Sequence, residues 1–325
     1  MAAALAACSP AYVLSSWAGQ RRLMSGRRPI DAVLADPATG SALRARLELA
    51  RAARAFGRER MALPPSSNYA DFVDVGRPFV TMIVSASPKT ELRAYTWWFP
   101  VVGRVPYKGF FDEKGARAEA DRLRRAGYDV HLGGARAYST LGWWKDPLLS
   151  TMLDDSAGGL AETLLHELAH GAAYFPGQGD FNESLATYAG ERGAEEFLAA
   201  HFGAQSPELR SYLKEREQAE REGERVEKLY RDLAALYGSA IPETEKLARR
   251  EPLLEAARKD LDAIAGKPGA WPPLDNAVVL AARRYRTDLG AFRALHDSLG
   301  GDWGRFWERV RALDKRRPWE SLARR

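Results

Sequence analysis

Thr163-Leu164-Leu165-His166-Glu167-Leu168-Ala169-His170 and, further on, Phe181-Asn182-Glu183-Ser184-Leu185-Ala186 are two segments with apolar helical spacing and metal-competent side chains. On one helix, His166 and His170 stand about 6 Å apart along the axis and about 40° apart around it. Both imidazoles then reach one metal ion. Glu167 lies between them on the same side, too far round to be a ligand but placed to touch a metal-bound water. This is the H-E-x-x-H arrangement, in which two histidines bind zinc and the glutamate is the general base. Leu164, Leu165, Leu168 and Ala172 face away at helical spacing and anchor the helix in a core. A catalytic zinc takes three protein ligands and keeps a fourth position open, and Glu183, beside Asn182, supplies the third. The expectation is one Zn2+ per chain, held by His166, His170 and Glu183. Only five histidines occur in the chain, so two in this motif weigh against coincidence.

At 325 residues with 46% hydrophobic content, the sequence suffices for one large domain or two modest ones, and excludes a disordered or fibrous protein. The 48 basic residues nearly match the 43 acidic ones, which reads as salt-bridged helix faces. The aromatics fall in strand-like or core-like positions, so no nucleic-acid partner is expected. The single cysteine, Cys8, excludes an internal disulfide and a cysteine zinc site.

Ala2 to Cys8 is a run of small residues with Leu5 three before the cysteine, and resembles a bacterial lipoprotein box, though no basic n-region precedes it and its apolar stretch is short. The expectation is a truncated lipoprotein signal over residues 1–8. Membrane association would then come only through lipid on Cys8, in a periplasm-facing protein of a Gram-negative cell envelope; the alternative is a cytoplasmic protein. No stretch of 18 uncharged apolar residues occurs.

Residues 9–65 carry a helical pattern punctuated by Pro29 and Pro37 and ended by Pro64-Pro65. Residues 66–205 form the expected catalytic core. It opens with strand-like runs at Phe79–Val84, Thr96–Phe99 and Val101–Val105, where Pro100 and Pro106 confine the strands to edges or bulges. A helix from about Glu113 to Arg125 and a strand at Tyr128–Leu132 complete a small sheet with a crossover helix. The segment Ala135 to Leu141 suits a sheet edge against which an extended peptide lies, and Tyr138 is a candidate oxyanion donor. Residues 206–325 are expected to be helical: a long charged hairpin with a thin stripe at Val226, Leu229, Leu233 and Leu236, then packed helices carrying Tyr285, Phe292, Leu295, Trp303, Phe306 and Trp307. The fold class expected is α+β, mostly helical, with a small mixed sheet packed on a zincin-like HExxH helix.

With these features together, the chain resembles the bacterial putative aminopeptidase family of gluzincin-type zinc peptidases. The matching stretches are Gly19-Gln20, Arg28-Pro29-Ile30, Trp98 to Gly103, Tyr107 to Phe111, Ala137 to Gly142, Asp146-Pro147, His166 to His170 and Phe181-Asn182-Glu183, with weaker likeness from Asn276-Ala277 to Trp307. The resemblance implies peptide hydrolysis, a peptide substrate and lipoprotein character. This chain departs from the family at Trp98 and Arg104, where members often carry cysteines, so a disulfide tethering those strands is missing here.

The chemistry implied assigns Glu167 to take a proton from a zinc-bound water and hand it to the leaving amine, with Tyr138 or Tyr107 as a second oxyanion donor. Glu162 and Glu191 are candidate partners for the ligand imidazoles. An aminopeptidase also needs a carboxylate for the substrate ammonium, for which Glu162, Asp146, Asp154 and Asp155 are candidates. The other function class open to this sequence is a weakly active or inactive zinc-binding envelope lipoprotein serving as an interaction module. The presence of Glu167 favours catalysis over that. Oligomeric state is not legible.

Overall fold

The computed structural model describes residues 10–99, 103–136, 145–283 and 289–323. From the N-terminal side, α1 (Pro10–Ser25) leads through β1 (Arg28–Pro29) to α2 (Ile30–Ala35) and α3 (Ser41–Arg60). Next come β2 (Asp71–Val73), β3 (Thr81–Ser87), β4 (Trp97–Phe99), β5 (Gly103–Val105) and β6 (Lys108–Phe110). Helix α4 (Glu113–Arg125) is followed by β7 (Asp129–Ala135), β8 (Leu148–Leu149) and a 3-10 turn at Ser150–Met152. The rest is helical: α5 (Ala157–Ala169), α6 (Gly179–Phe202), α7 (Pro207–Gly238), α8 (Glu243–Ile264), α9 (Asn276–Arg283), α10 (Leu289–Ser298), α11 (Trp303–Arg311) and α12 (Pro318–Ala323). Helix occupies 61% of the structure, which with small sheets makes it α+β and mostly helical, as expected. No described helix is long and apolar enough to cross a membrane.

The strands do not merge into one small mixed sheet. Among the described residues they fall into three sheets: β1-β2-β8, β6-β3-β7 and β4-β5. Only the first is mixed, with β1 antiparallel and β8 parallel to β2. Pro106 offers no amide hydrogen to lengthen the β4-β5 ladder past Val105, and Pro100 lies outside the described residues. Trp98 and Arg104 are direct partners across that pair.

Two compact units result, each assembled from three separated chain segments. The first comprises the described parts of Met1–Ser25, Pro78–Arg136 and Arg216–Arg284. In it β6 and β7 both run antiparallel to β3, hence parallel to each other, and α4 is the crossover joining them. The amphipathic spacing of α4 puts Ala116, Ala120 and Leu123 against the sheet, where they bury with Val84, Phe110 and Val130. The stripe on the charged stretch is buried: Val226, Leu229 and Leu233 of α7 pack with Leu254, Ala257 and Leu261 of the next helix, α8, and with Val279 of α9. A buried Arg250 grips Asp129 at 2.8 and 3.1 Å, and the same carboxylate accepts the Asn276 amide at 3.1 Å.

The second unit comprises the described parts of Gly26–Arg77, Ala137–Glu215 and Tyr285–Arg325. Its centre is α5 packed along α6. Helix α3 packs on α5 where Gly57 lacks a side chain; a Cβ there would lie 2.9 Å from Leu165. Phe292, Trp303, Phe306 and Trp307 are buried, and the Trp307 indole donates to the Met61 carbonyl at 2.8 Å. Tyr285 lies outside the described residues.

Candidate metal centre

Ser156 caps α5, its hydroxyl accepting from the Gly159 amide at 3.1 Å, so the helix starts where the chain leaves the 3-10 turn. Leu164, Leu165 and Leu168 bury as the apolar back of α5. His166 therefore faces the other way, and His170, the C-cap residue, retains helical angles of φ −57° and ψ −25°. Their rings lie 5.0 Å apart at 83°.

Glu183 comes from the first turn and a half of α6. The connection between the helices is fixed by Asn182, whose buried amide accepts from the Phe175 N–H and donates to the Phe175 carbonyl, both at 2.9 Å. That reciprocal pair sets the phase of α6, and the next residue, Glu183, turns toward the histidines. Its carboxylate oxygens stand 3.5 Å from His166 Nε2 and 3.8 Å from His170 Nε2. Gly190 brings α6 close at the same level: a Cβ there would lie 2.8 Å from the Glu162 carbonyl and 2.9 Å from His166 Cβ.

Among the described residues, His166, His170 and Glu183 form a cluster that could hold a metal ion, with one ligand atom from each all within 4.8 Å of one another. Around a tetrahedral zinc with bonds of about 2.0–2.1 Å, neighbouring ligand atoms stand about 3.3–3.4 Å apart. The Glu183 oxygens, at 3.5 and 3.8 Å from the two imidazole nitrogens, stand near that spacing, and the donors are the nitrogen and oxygen types zinc accepts.

The electrostatics are those of a partly buried acidic cup. Burial opposes charge on His166, but the hydrogen bond to Glu183 and the charges of Glu167, Glu183 and Glu162 outweigh it and hold the imidazole above its usual range. Burial and the neighbouring His166 hold His170 down at about 4. Glu183 is drawn below the usual carboxylate range: its hydrogen bond to His166 and the charge of His170 overcome burial. Burial pushes Glu167 up; His166 pulls against it, while Glu183 and Asp146 add to the rise. A carboxyl so placed is a stronger proton acceptor than an exposed one.

Of the other expected residues, Asp146 is buried and its charge acts on Glu167. Asp154 is exposed and Asp155 half-buried. Glu162 accepts the Tyr212 hydroxyl at 2.8 Å. Glu191 places its backbone carbonyl 3.2 Å from that same hydroxyl. Tyr107 belongs to the first unit. Tyr138, most of the Ala135 to Leu141 edge, and Cys8 lie outside the described residues.

Tyr69 was not expected here. It is buried, adopts φ +59°, and its amide donates to the Asp146 carbonyl at 2.7 Å. Burial, with Glu167 and Asp146 as negative neighbours, pushes its phenol well above the usual tyrosine range. A left-handed, non-glycine conformation is costly and collects at functional sites. The only sequence signal is Asn68 before it, whose side chain accepts from the Asp146 amide at 3.2 Å.

The sequence profile of one family, described as "Putative aminopeptidase", matches residues 11–323. The chain belongs to that family. The match spans both units and includes the HExxH helix and Glu183, and it supports a peptidase-type hydrolase acting on peptide substrates. No curated protein and no solved structure matched the chain.

Proposed function

We propose that this member of the putative aminopeptidase family is a zinc-dependent peptidase whose metal is held by His166, His170 and Glu183. The observation carrying this reading is the convergence of those three side chains beside a half-buried carboxyl at Glu167. Zinc, when bound, supplies Lewis acidity and makes a water acidic enough to lose a proton near neutrality. Glu167 accepts that proton and returns it to the leaving amine, so one carboxyl acts first as base and then as acid. Ligand roles leave His166 and His170 neutral and Glu183 ionised.

Aminopeptidase action is the reading we favour within that class. A free ammonium group calls for a nearby carboxylate, and Asp146, buried and electrostatically coupled to Glu167, meets that need better than exposed Asp154. A lipid-anchored setting through Cys8, facing the periplasm, belongs to the same proposal.

The test compares peptides with free and acetylated N-termini. Cleavage of the free series with loss on blocking supports an aminopeptidase. Equal cleavage makes the enzyme an endopeptidase, and none with zinc bound leaves an interaction module.

A further inference from the structure

We propose that the outer face of α1, carried by Leu14, Trp17, Ala18, Arg21 and Arg22, seats on the headgroup layer of an anionic lipid bilayer. The inference rests on α1 and not on the zinc site. It shares the membrane setting of the lipid proposed for Cys8, but needs no lipid on that residue.

Around α1, Tyr12, Gly19 and Leu23 fall within about 40° of one another, and Leu14, Trp17, Ala18 and Arg21 within about 100° on the opposite side. The first set holds the helix down. The Tyr12 hydroxyl donates to the Gly109 carbonyl at 2.8 Å, and its ring lies 4.3 Å from the ammonium of buried Lys108 and meets Phe110 edge-on at 5.4 Å. Gly19 comes so close to Phe111 that a Cβ would fall 2.3 Å from the ring, and Leu23 is buried. A helix fastened along one side presents a fixed opposite side.

That opposite side is apolar at its N-terminal end. Leu14 is 66% and Trp17 62% exposed, with Val13 beside them at 53%. Among the described residues eight large hydrophobic side chains are exposed, and these three stand within five consecutive positions, so they form a patch and not scattered singles. One to two turns on, Arg21 and Arg22 are exposed, and among the described residues neither makes an ion pair. The Arg21 guanidinium lies 5.5 Å from the centre of the Trp17 ring. Arginines on other helices are matched, as Arg117 is by Glu113 and Arg249 by Glu245, whereas no Asp or Glu occurs before Asp31.

Unmatched cations next to a leucine and a tryptophan complement a surface that is negative outside and apolar within. Tryptophan settles at headgroup level, leucine reaches the acyl boundary, and arginine extends its charged end to the phosphates. A second copy of this face offers no carboxylate to the arginines, so it fits the charge less well than a bilayer does. At 16 residues with two arginines, α1 is built to lie along the interface and not to span it. It begins two residues after Cys8, so an acyl chain there would lead into the same leaflet.

The experiment uses the full chain carrying Cys8→Ser, which takes no acyl group, and measures co-sedimentation with vesicles of phosphatidylcholine alone or mixed with phosphatidylglycerol. Leu14→Gln/Trp17→Gln and Arg21→Gln/Arg22→Gln in the same background are compared with it, and the melting of each protein is recorded. Binding to the mixed vesicles is expected, weaker on phosphatidylcholine alone and weaker as salt is raised. Each arginine near an anionic surface contributes about 5-fold, so the arginine pair should cost about 25-fold. Leu14→Gln/Trp17→Gln should lose about 10-fold or more, the yield of burying one large apolar side chain. Melting should stay unchanged in both, since the substituted side chains are exposed. No binding to the mixed vesicles overturns the inference, as does binding that either double variant retains in full. Self-association lost in Leu14→Gln/Trp17→Gln, without vesicle binding, also overturns it and assigns the face to a second copy. Acylation is read separately, from the mass of membrane-extracted wild type. Its absence removes the lipid reading alone, and vesicle binding by the Cys8→Ser protein then supports the α1 face on its own.

Discussion

A methyl group at Gly190 would sit 2.8 Å from the Glu162 carbonyl and 2.9 Å from His166 Cβ, closer than unstrained contacts permit. Gly190→Ala should therefore push α6 off α5. Overpacking of this kind costs about 1–3 kcal/mol, against which the better helix propensity of alanine returns up to about 1 kcal/mol. Because Glu183 rides on α6, zinc affinity should fall as well; urea unfolding and a chelator titration check the two effects. At this scale the candidate ligands were legible in the sequence, because helix geometry alone relates His166 to His170, and Glu183 follows on the next apolar-patterned segment. Tyr69 was not, since its burial and left-handed backbone depend on Asp146, far along the chain. Nor was Tyr212, which meets Glu162 across 50 residues of sequence.

Among elements, long periodic helices were readable, as were the runs containing β4 and β5, while β1, β2 and β8 were not. β1 and β8 have two residues each and β2 three, too few for alternation to register, so the sheet built from them went unforeseen. The Trp98–Arg104 pair shows the converse. The resemblance placed cysteines there in relatives, and those positions face each other across β4 and β5. Two predictions belong to this scale. Asp129→Ala takes from a buried Arg250 its bidentate carboxylate, leaving it Glu251 and the Lys89 carbonyl, and takes from the Asn276 amide its acceptor; denaturant unfolding should show a loss of up to about 3–5 kcal/mol, the cost of breaking a buried ion pair from one side. Asp262 accepts from the Trp271 and Gly269 amides and from Arg258, and these hold its carboxyl below the ordinary aspartate range. A lowered folded-state value means that the unfolded chain binds the proton first. Its stabilisation is thus complete above the ordinary aspartate range and disappears as pH falls through the lowered value. Melting followed from neutral to strongly acidic pH should show Asp262→Asn less sensitive to acid than the wild type.

For the whole molecule, both units are built from segments that return from distant parts of the chain, a property local patterning does not reveal. The thin stripe on α7 is covered by the next helix, α8, and by α9, with Leu92 packed against the same cluster from far along the chain. Mostly helical α+β character was legible because composition and periodicity summed over many residues determine it. The same distribution places the candidate metal ligands in one unit, on two adjoining helices with a short connection, so the central claim can be tested without disturbing the architecture. Glu167→Gln preserves the size of the side chain and touches no ligand. The decisive measurement is the rate of hydrolysis of an unblocked peptide by zinc-loaded Glu167→Gln and zinc-loaded wild type at equal metal content. The account predicts one zinc in each protein and a loss of about 10²- to 10⁴-fold in the variant, the range supplied by a general acid–base group. Wild-type rates in the variant would contradict it.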